Sequence, residues 1–167
     1  ENVHADLARG ELGTLGNIAD RGEGETVGVG VSLAKIAGGL TMKSRQVLDR
    51  IHSPADLKSL DICELRKLAD ELREELLDVV STHGGHLASN LGIVELTIAL
   101  LRAFSPPQDK IVWDTGHQAY IYKLLTGRRE LFQKLREDDG CCGFLHRDES
   151  EFDVFGAGHA GTAISAA

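Results

Sequence analysis

The sequence predicts an α/β fold, a parallel sheet flanked by helices, and three observations carry that expectation. Residues 61–80 repeat apolar side chains at helical spacing. Residues 92–104 are apolar on most sides. Between that segment and the next lies a short apolar run, Lys110-Ile111-Val112, which leads into Trp113-Asp114-Thr115-Gly116-His117. The run reads as the carboxyl end of a buried strand turning through Gly116 into a helix, the place where open α/β sheets hold ligands. Helices with this much apolar surface need such a sheet to cover them.

Residues 1–41 are set apart from the rest. They hold nine of the nineteen glycines and no Phe, Trp or Tyr, so they have little with which to offset the entropy of ordering. They are expected to form a flexible or unrelated extension, with residues 42–167 as the folded part. Met42 is the one methionine, and the chain runs from Glu1 to an apolar segment ending at Ala167, so both ends read as arbitrary and Met42 as a candidate start. The pairs Gly22/Gly24 and Gly28/Gly30 resemble phosphate-loop glycines, yet no strand precedes them and no Gly-Lys-Ser/Thr follows.

From Asp61 onward, Ile62, Leu65, Leu68, Ala69, Leu72, Leu76, Val79 and Val80 form one stripe. Asp61 and Glu64 make a capping box that starts the helix. Its charged face (Glu64, Arg66, Lys67, Asp70, Arg73, Glu74) reads as solvated surface with spaced ion pairs. A polar turn, residues 81–90, leads to a buried helix over 92–104 that Pro106-Pro107 ends. Glu95 within it reads as the carboxylate of a structural ion pair. After the 113–129 segment come a short helix over 129–136, an irregular connection and a small-residue run, Gly156-Ala157-Gly158-His159-Ala160-Gly161. The helix opening there is expected to point free N–H groups at a phosphate.

The net charge is -8 with both signs interspersed, so no basic stripe exists to neutralise nucleic acid. No run is long and apolar enough to span a bilayer, and no secretory start is visible, so a cytoplasmic protein is expected. Cys63, Cys141 and Cys142 show no zinc spacing and read as reduced, structural thiols.

Three glycine-preceded histidines stand out: His86, His117 and His159. Each lies where a loop meets a helix, and an imidazole there can bind phosphate or move protons. Tyr120 and Tyr122 offer stacking surface, and Lys123, Arg128 and Arg129 offer positive charge, so an anionic cofactor or substrate is expected. A three-histidine zinc site is the weaker alternative, because no pair has the usual short ligand spacing and no acidic residues are evident to support the imidazoles, and no residue is assigned to a metal.

The blocks Gly-Gly-His-Leu-Ala-Ser-Asn-Leu-Gly-Ile-Val-Glu-Leu-Thr (84–97), Trp-Asp-Thr-Gly-His-Gln-Ala-Tyr (113–120), Leu-Thr-Gly-Arg-Arg (125–129), Glu-Ser-Glu-Phe-Asp (149–153) and Gly-His-Ala-Gly-Thr-Ala-Ile-Ser (158–165) resemble the amino-terminal part of the 1-deoxy-D-xylulose-5-phosphate synthase family. The resemblance runs from about Met42 to Ala167. It implies a partial thiamine diphosphate-binding fold, truncated at its carboxyl end. It also implies a transferase that condenses pyruvate with glyceraldehyde 3-phosphate and releases CO2, supplying isoprenoid, thiamine and pyridoxal synthesis. By position, His117 would contact thiamine diphosphate, Gly158, His159 and Ala160 would form the turn beside it, and His86 would be the catalytic residue near the reacting carbon. Magnesium ligands are implied downstream of Ala167, the working unit is implied to be a homodimer, and this portion alone is expected to be inactive. A transketolase-like ketol transferase and a truncated non-catalytic relative are the alternatives. The family usually has Ser in place of Ala160 and Pro-His in place of Ile121-Tyr122; the second change implies an altered surface or substrate neighbour.

Overall fold

The computed structural model describes residues 42–159, 161 and 163–167. The expectation for residues 1–41 lies outside them. The described residues form six α-helices joined by turns and short 3-10 segments: α1 (Ile62–His83), α2 (Leu87–Leu91), α3 (Val94–Ala103), α4 (Tyr120–Leu125), α5 (Arg129–Phe132) and α6 (Ala163–Ala166).

Helix α1 starts as its sequence demands. The Asp61 carboxylate accepts from the Glu64 N–H at 2.8 Å and Glu64 accepts from the Asp61 N–H at 3.1 Å, which satisfies two otherwise orphaned donors. Gly84, at φ +72°, ends the helix with its N–H on the Val80 carbonyl. The stripe Leu68, Leu72, Leu76 and Val79 is fully buried, each side chain contributing roughly 1.5–3 kcal/mol of transfer free energy.

Two charges interrupt that stripe. Glu71 is buried and accepts the N–H groups of Gln46, Val47 and Leu48 at 3.0, 2.9 and 2.8 Å, which supplies the start of the 3-10 turn Leu48–Arg50. Glu75, also buried, takes Arg45 at 3.3 Å, Arg129 at 3.0 Å and the Gln133 amide at 2.7 Å. The segment before α1 and helix α5 are therefore tied to one carboxylate. The charged face expected at the surface is there: Arg73 pairs with Asp70 at 3.8 Å and with Glu95. That contact holds the Glu95 carboxyl below its ordinary value, and so the structural reading of Glu95 holds.

Helix α3 buries Val94, Thr97, Ile98 and Leu101 but leaves Leu96 56% exposed, so it is half-covered rather than buried on most sides. Arg102 donates to the Leu60 carbonyl at 2.7 Å, holding α3 against the turn Pro54–Ser59. Helix α4 is buried along its whole length and sits among Leu57, Leu72, Leu76 and Phe132 in one core.

The parallel sheet does not form among the described residues, which contain no strand. Residues 110–112 carry no regular secondary structure and no ladder partner, and the one ladder contact among the described residues is an isolated antiparallel bridge, Leu145 with Ala157. The physical reason is simple: a strand exists only as half of a hydrogen-bonded pair, and the neighbouring elements here are helices and turns.

Ile121 and Tyr122 are 0% and 1% exposed. The Tyr122 hydroxyl donates to the Phe152 carbonyl at 3.0 Å and its ring packs 5.5 Å from Trp113. The departure at these positions is a core substitution, not a change at the surface.

Candidate functional site

The three glycine-preceded histidines come together. His86 precedes α2, after Gly84 and Gly85 at φ +72° and +138°, a backbone that side chains strain to adopt. His117 lies in the 3-10 turn Gly116–Gln118 ahead of α4. His159 follows the bridge at Ala157. The ring centroids are 4.4 Å apart for His86 and His117, 5.0 Å for His117 and His159, and 5.3 Å for His86 and His159.

Gly116 makes that convergence possible. Its N–H donates to the Gly158 carbonyl at 2.7 Å, and a Cβ at 116 would lie 1.8 Å from the Ala157 carbonyl oxygen. Only hydrogen fits, so two loops 40 residues apart in sequence cross in contact and bring His117 beside His159.

Asn90 holds the other pair. Its Nδ2 donates to the His86 carbonyl at 2.6 Å and the His117 carbonyl at 2.7 Å, while its Oδ1 accepts the Tyr120 N–H at 3.0 Å. The side chain is fully buried, so all three bonds form away from competing water. Phe144 closes the group, its ring 5.0 Å from His159 and 6.1 Å from His86. Sequence reasoning missed both residues; Asn90 was readable only as the end of a motif and Phe144 only as part of an irregular connection.

The imidazoles are poorly satisfied. Nδ1 of His86 and Nδ1 of His117 are buried without a hydrogen-bond partner among the described residues. Burial, then the neighbouring His117, His159 and Arg136, lower the His86 pKa from 6.5, which favours its neutral form at neutral pH. The His83 ring, three residues earlier, faces elsewhere, with Nδ1 3.0 Å from Glu137. The nitrogen atoms of His86, His117 and His159 available as ligands lie within 4.8 Å of one another. Gly158 has open space where a side chain would project. Ala160 lies outside the described residues.

The expected basic ligands are not at the site, and of the two tyrosines Tyr120 borders it, its ring 6.5 Å from that of His86. Lys123 is fully buried and paired with Glu149; Arg128, 4% exposed, reaches Glu149 at 2.9 Å and Asp153 at 2.8 Å. Arg129 pairs with Glu75 and Asp49. The Leu-Thr-Gly-Arg-Arg and Glu-Ser-Glu-Phe-Asp blocks thus bind each other, and the second clamps the 141–153 loop that carries Phe144. Tyr120 and Tyr122 are buried rather than open for stacking. Of the N–H groups expected to be free at the start of α6, that of Ala163 is taken: it donates to the Asp114 carboxylate at 2.8 Å.

The family described as 1-deoxy-D-xylulose-5-phosphate synthase matches residues 48–167. The chain is 60% identical over 125 residues to the 1-deoxy-D-xylulose-5-phosphate synthase of Dehalococcoides mccartyi (strain CBDB1), which covers 75% of this chain and 19% of that protein. It is 57% identical over 122 residues to the synthase of Methylacidiphilum infernorum (isolate V4), covering 73% and 19%, and 60% identical over 121 residues to that of Treponema pallidum (strain Nichols), covering 72% and 19%. The chain therefore spans about a fifth of the length of the curated relatives it matches. On the family match and these identities, the chain belongs to the 1-deoxy-D-xylulose-5-phosphate synthase family.

Proposed function

We propose that this chain forms one wall of the thiamine diphosphate site of an enzyme that condenses pyruvate with D-glyceraldehyde 3-phosphate, releasing CO2, to give 1-deoxy-D-xylulose 5-phosphate. The observation that carries the reading is the meeting of His86, His117 and His159 from three separate loops. The two buried, unpartnered Nδ1 atoms fit a ligand with both donors and acceptors.

In this reading His117, Gly158, His159 and Ala160 hold the cofactor, the two glycine-linked loops giving close main-chain approach. When bound, the cofactor supplies an electron sink for the pair left as carbon dioxide departs. His86 holds and moves the proton: a neutral imidazole offers one accepting and one donating nitrogen, and its lowered pKa keeps it in that form. Asn90 positions His86 and His117 through their carbonyls. Phe144 shields the imidazoles from water. Magnesium would be held by other residues of the protein, and residues 1–167 alone are proposed to be inactive for that reason. The parallel sheet, with residues 110–112 as one strand, a homodimer and a cytoplasmic location belong to the same proposal. Among the described residues no helix is long and apolar enough to cross a membrane.

The test uses full-length protein with thiamine diphosphate and Mg2+. Carbon dioxide release from pyruvate that depends on glyceraldehyde 3-phosphate supports the reading. Ketol transfer between sugar phosphates without carbon dioxide would assign it instead to transketolase chemistry, and no turnover of either kind would make it a non-catalytic relative. His117→Ala is expected to weaken thiamine diphosphate binding by at least about tenfold, the loss of a charge-assisted contact.

A further inference from the structure

The spacing of the histidines along the chain argues against a metal, but the fold removes that objection. Three imidazoles from three loops present nitrogen atoms within 4.8 Å of one another. A tetrahedral zinc ion with Zn–N bonds of about 2.0–2.1 Å needs its ligand atoms about 3.4 Å apart. Closing that difference calls for a turn of the rings, chiefly of His159, which is exposed. The Asn90 carboxamide ties the main chains of His86 and His117 together through their carbonyls, which fixes the two loops beside each other and leaves the rings to be oriented by the ion. Their buried Nδ1 atoms have no protein partner to give up.

We propose that His86, His117 and His159 form a site for one Zn2+ or a similar borderline transition-metal ion, which shares its space with the proposed cofactor and so excludes it. Three neutral nitrogen ligands with a fourth position left to water match the ligand set of zinc rather than that of Mg2+, which prefers oxygen. The metal-binding half of the proposal stands on this geometry alone, whereas the exclusion half rests on the function proposed above.

The experiment titrates Zn2+, in excess Mg2+, into the metal-free full chain by calorimetry, and Co2+ by absorption spectroscopy. One ion per chain is expected, with a tetrahedral Co2+ spectrum that lacks thiolate charge transfer, because exposed Cys142 takes no part. His86→Ala, His117→Ala and His159→Ala are each expected to weaken binding by at least about tenfold. His146→Ala, which removes an exposed imidazole outside the cluster, leaves it unchanged. Binding equal in the His86/His117/His159 triple alanine variant and the unaltered chain, or a thiolate band abolished by Cys142→Ala, overturns the site. His159→Ala, on an exposed loop, keeps the test valid where a buried variant fails to fold, as circular dichroism reports. In full-length protein, Mg2+ and thiamine diphosphate together are expected to weaken Zn2+ binding through the same histidines. Intact zinc binding that ignores the cofactor would leave the metal site standing and overturn the exclusion.

Discussion

Asn90 is hydrogen-bonded to His117 across 27 positions of chain, its Nδ2 2.7 Å from the His117 carbonyl, and the same amide nitrogen reaches the carbonyl of His86. Replacing it by alanine removes both donors and the acceptor used by the Tyr120 N–H, leaving three buried main-chain groups unpaired. Asn90→Ala is expected to cost roughly 3 kcal/mol of stability, measured by urea unfolding. The imidazole NMR signals of His86 and His117 are expected to shift together, while the exposed His146 stays in place.

Gly116 and Gly158 are expected to behave in opposite ways. Alanine at 116 would put a methyl group 1.8 Å from the Ala157 carbonyl oxygen, so Gly116→Ala is expected to cost about 3 kcal/mol, at the upper end for overpacking. A Cβ at Gly158 meets nothing within 4 Å, and Gly158→Ala is expected to change stability by no more than about 0.5 kcal/mol. Thermal unfolding of the two variants side by side checks the contrast.

The buried Lys123, Arg128 and Asp153 form one network with the partly buried Glu149. Arg128→Leu leaves the buried Asp153 without its ionic partner and Glu149 with Lys123 alone, and is expected to destabilise by about 3–5 kcal/mol. Burial pushes the Glu149 pKa up, but Lys123, the Cys142 N–H and Arg128 outweigh it and hold the carboxyl below its ordinary 4.5. The folded state therefore binds fewer protons than the unfolded one, so this contribution is whole above about pH 4.5 and is lost as pH falls through the lowered value. Glu149→Gln is expected to flatten that part of the acid-unfolding curve.

His86 is expected to titrate below 6.5, because burial and then His117 and His159 oppose its charged form. Protonation is then easier in the unfolded chain, so stability is greatest above pH 6.5 and declines as pH falls through the lowered pKa. A ring-proton NMR titration reads this directly. A His86 midpoint at or above 6.5 would contradict it.

How far the sequence revealed the structure depended on where each residue's partner lay. Helix α1 was readable because Asp61, Glu64 and the leucine stripe are local signals. Glu71 and Glu75 were not, since they occupy buried positions of that stripe and their partners lie between 23 and 58 positions away. Chemistry-bearing residues were readable from three Gly-His pairs, and their convergence was expected from the family resemblance rather than from spacing. It depends on the crossing of Gly116 with Ala157 and Gly158, which has no trace in spacing. Lys123 and Arg128 were read by type as ligands for an anion, and the fold spent them on Glu149 and Asp153 instead. The strand expected at 110–112 is absent among the described residues for a related reason: its apolar run describes one chain segment, and pairing describes two.

Glu71 gives the segment before α1 an unusual dependence. The carboxylate that begins the Leu48–Arg50 turn belongs to a residue 23 to 25 positions later, so the local bonds of Asp49 to Ser44 and Arg45 leave its first N–H groups to a distant partner. The turn is complete only once α1 has wound as far as Glu71, and the two should melt in a single step. Amide exchange at Val47 and Leu48 should consequently report the opening of the long helix, although neither residue is part of it.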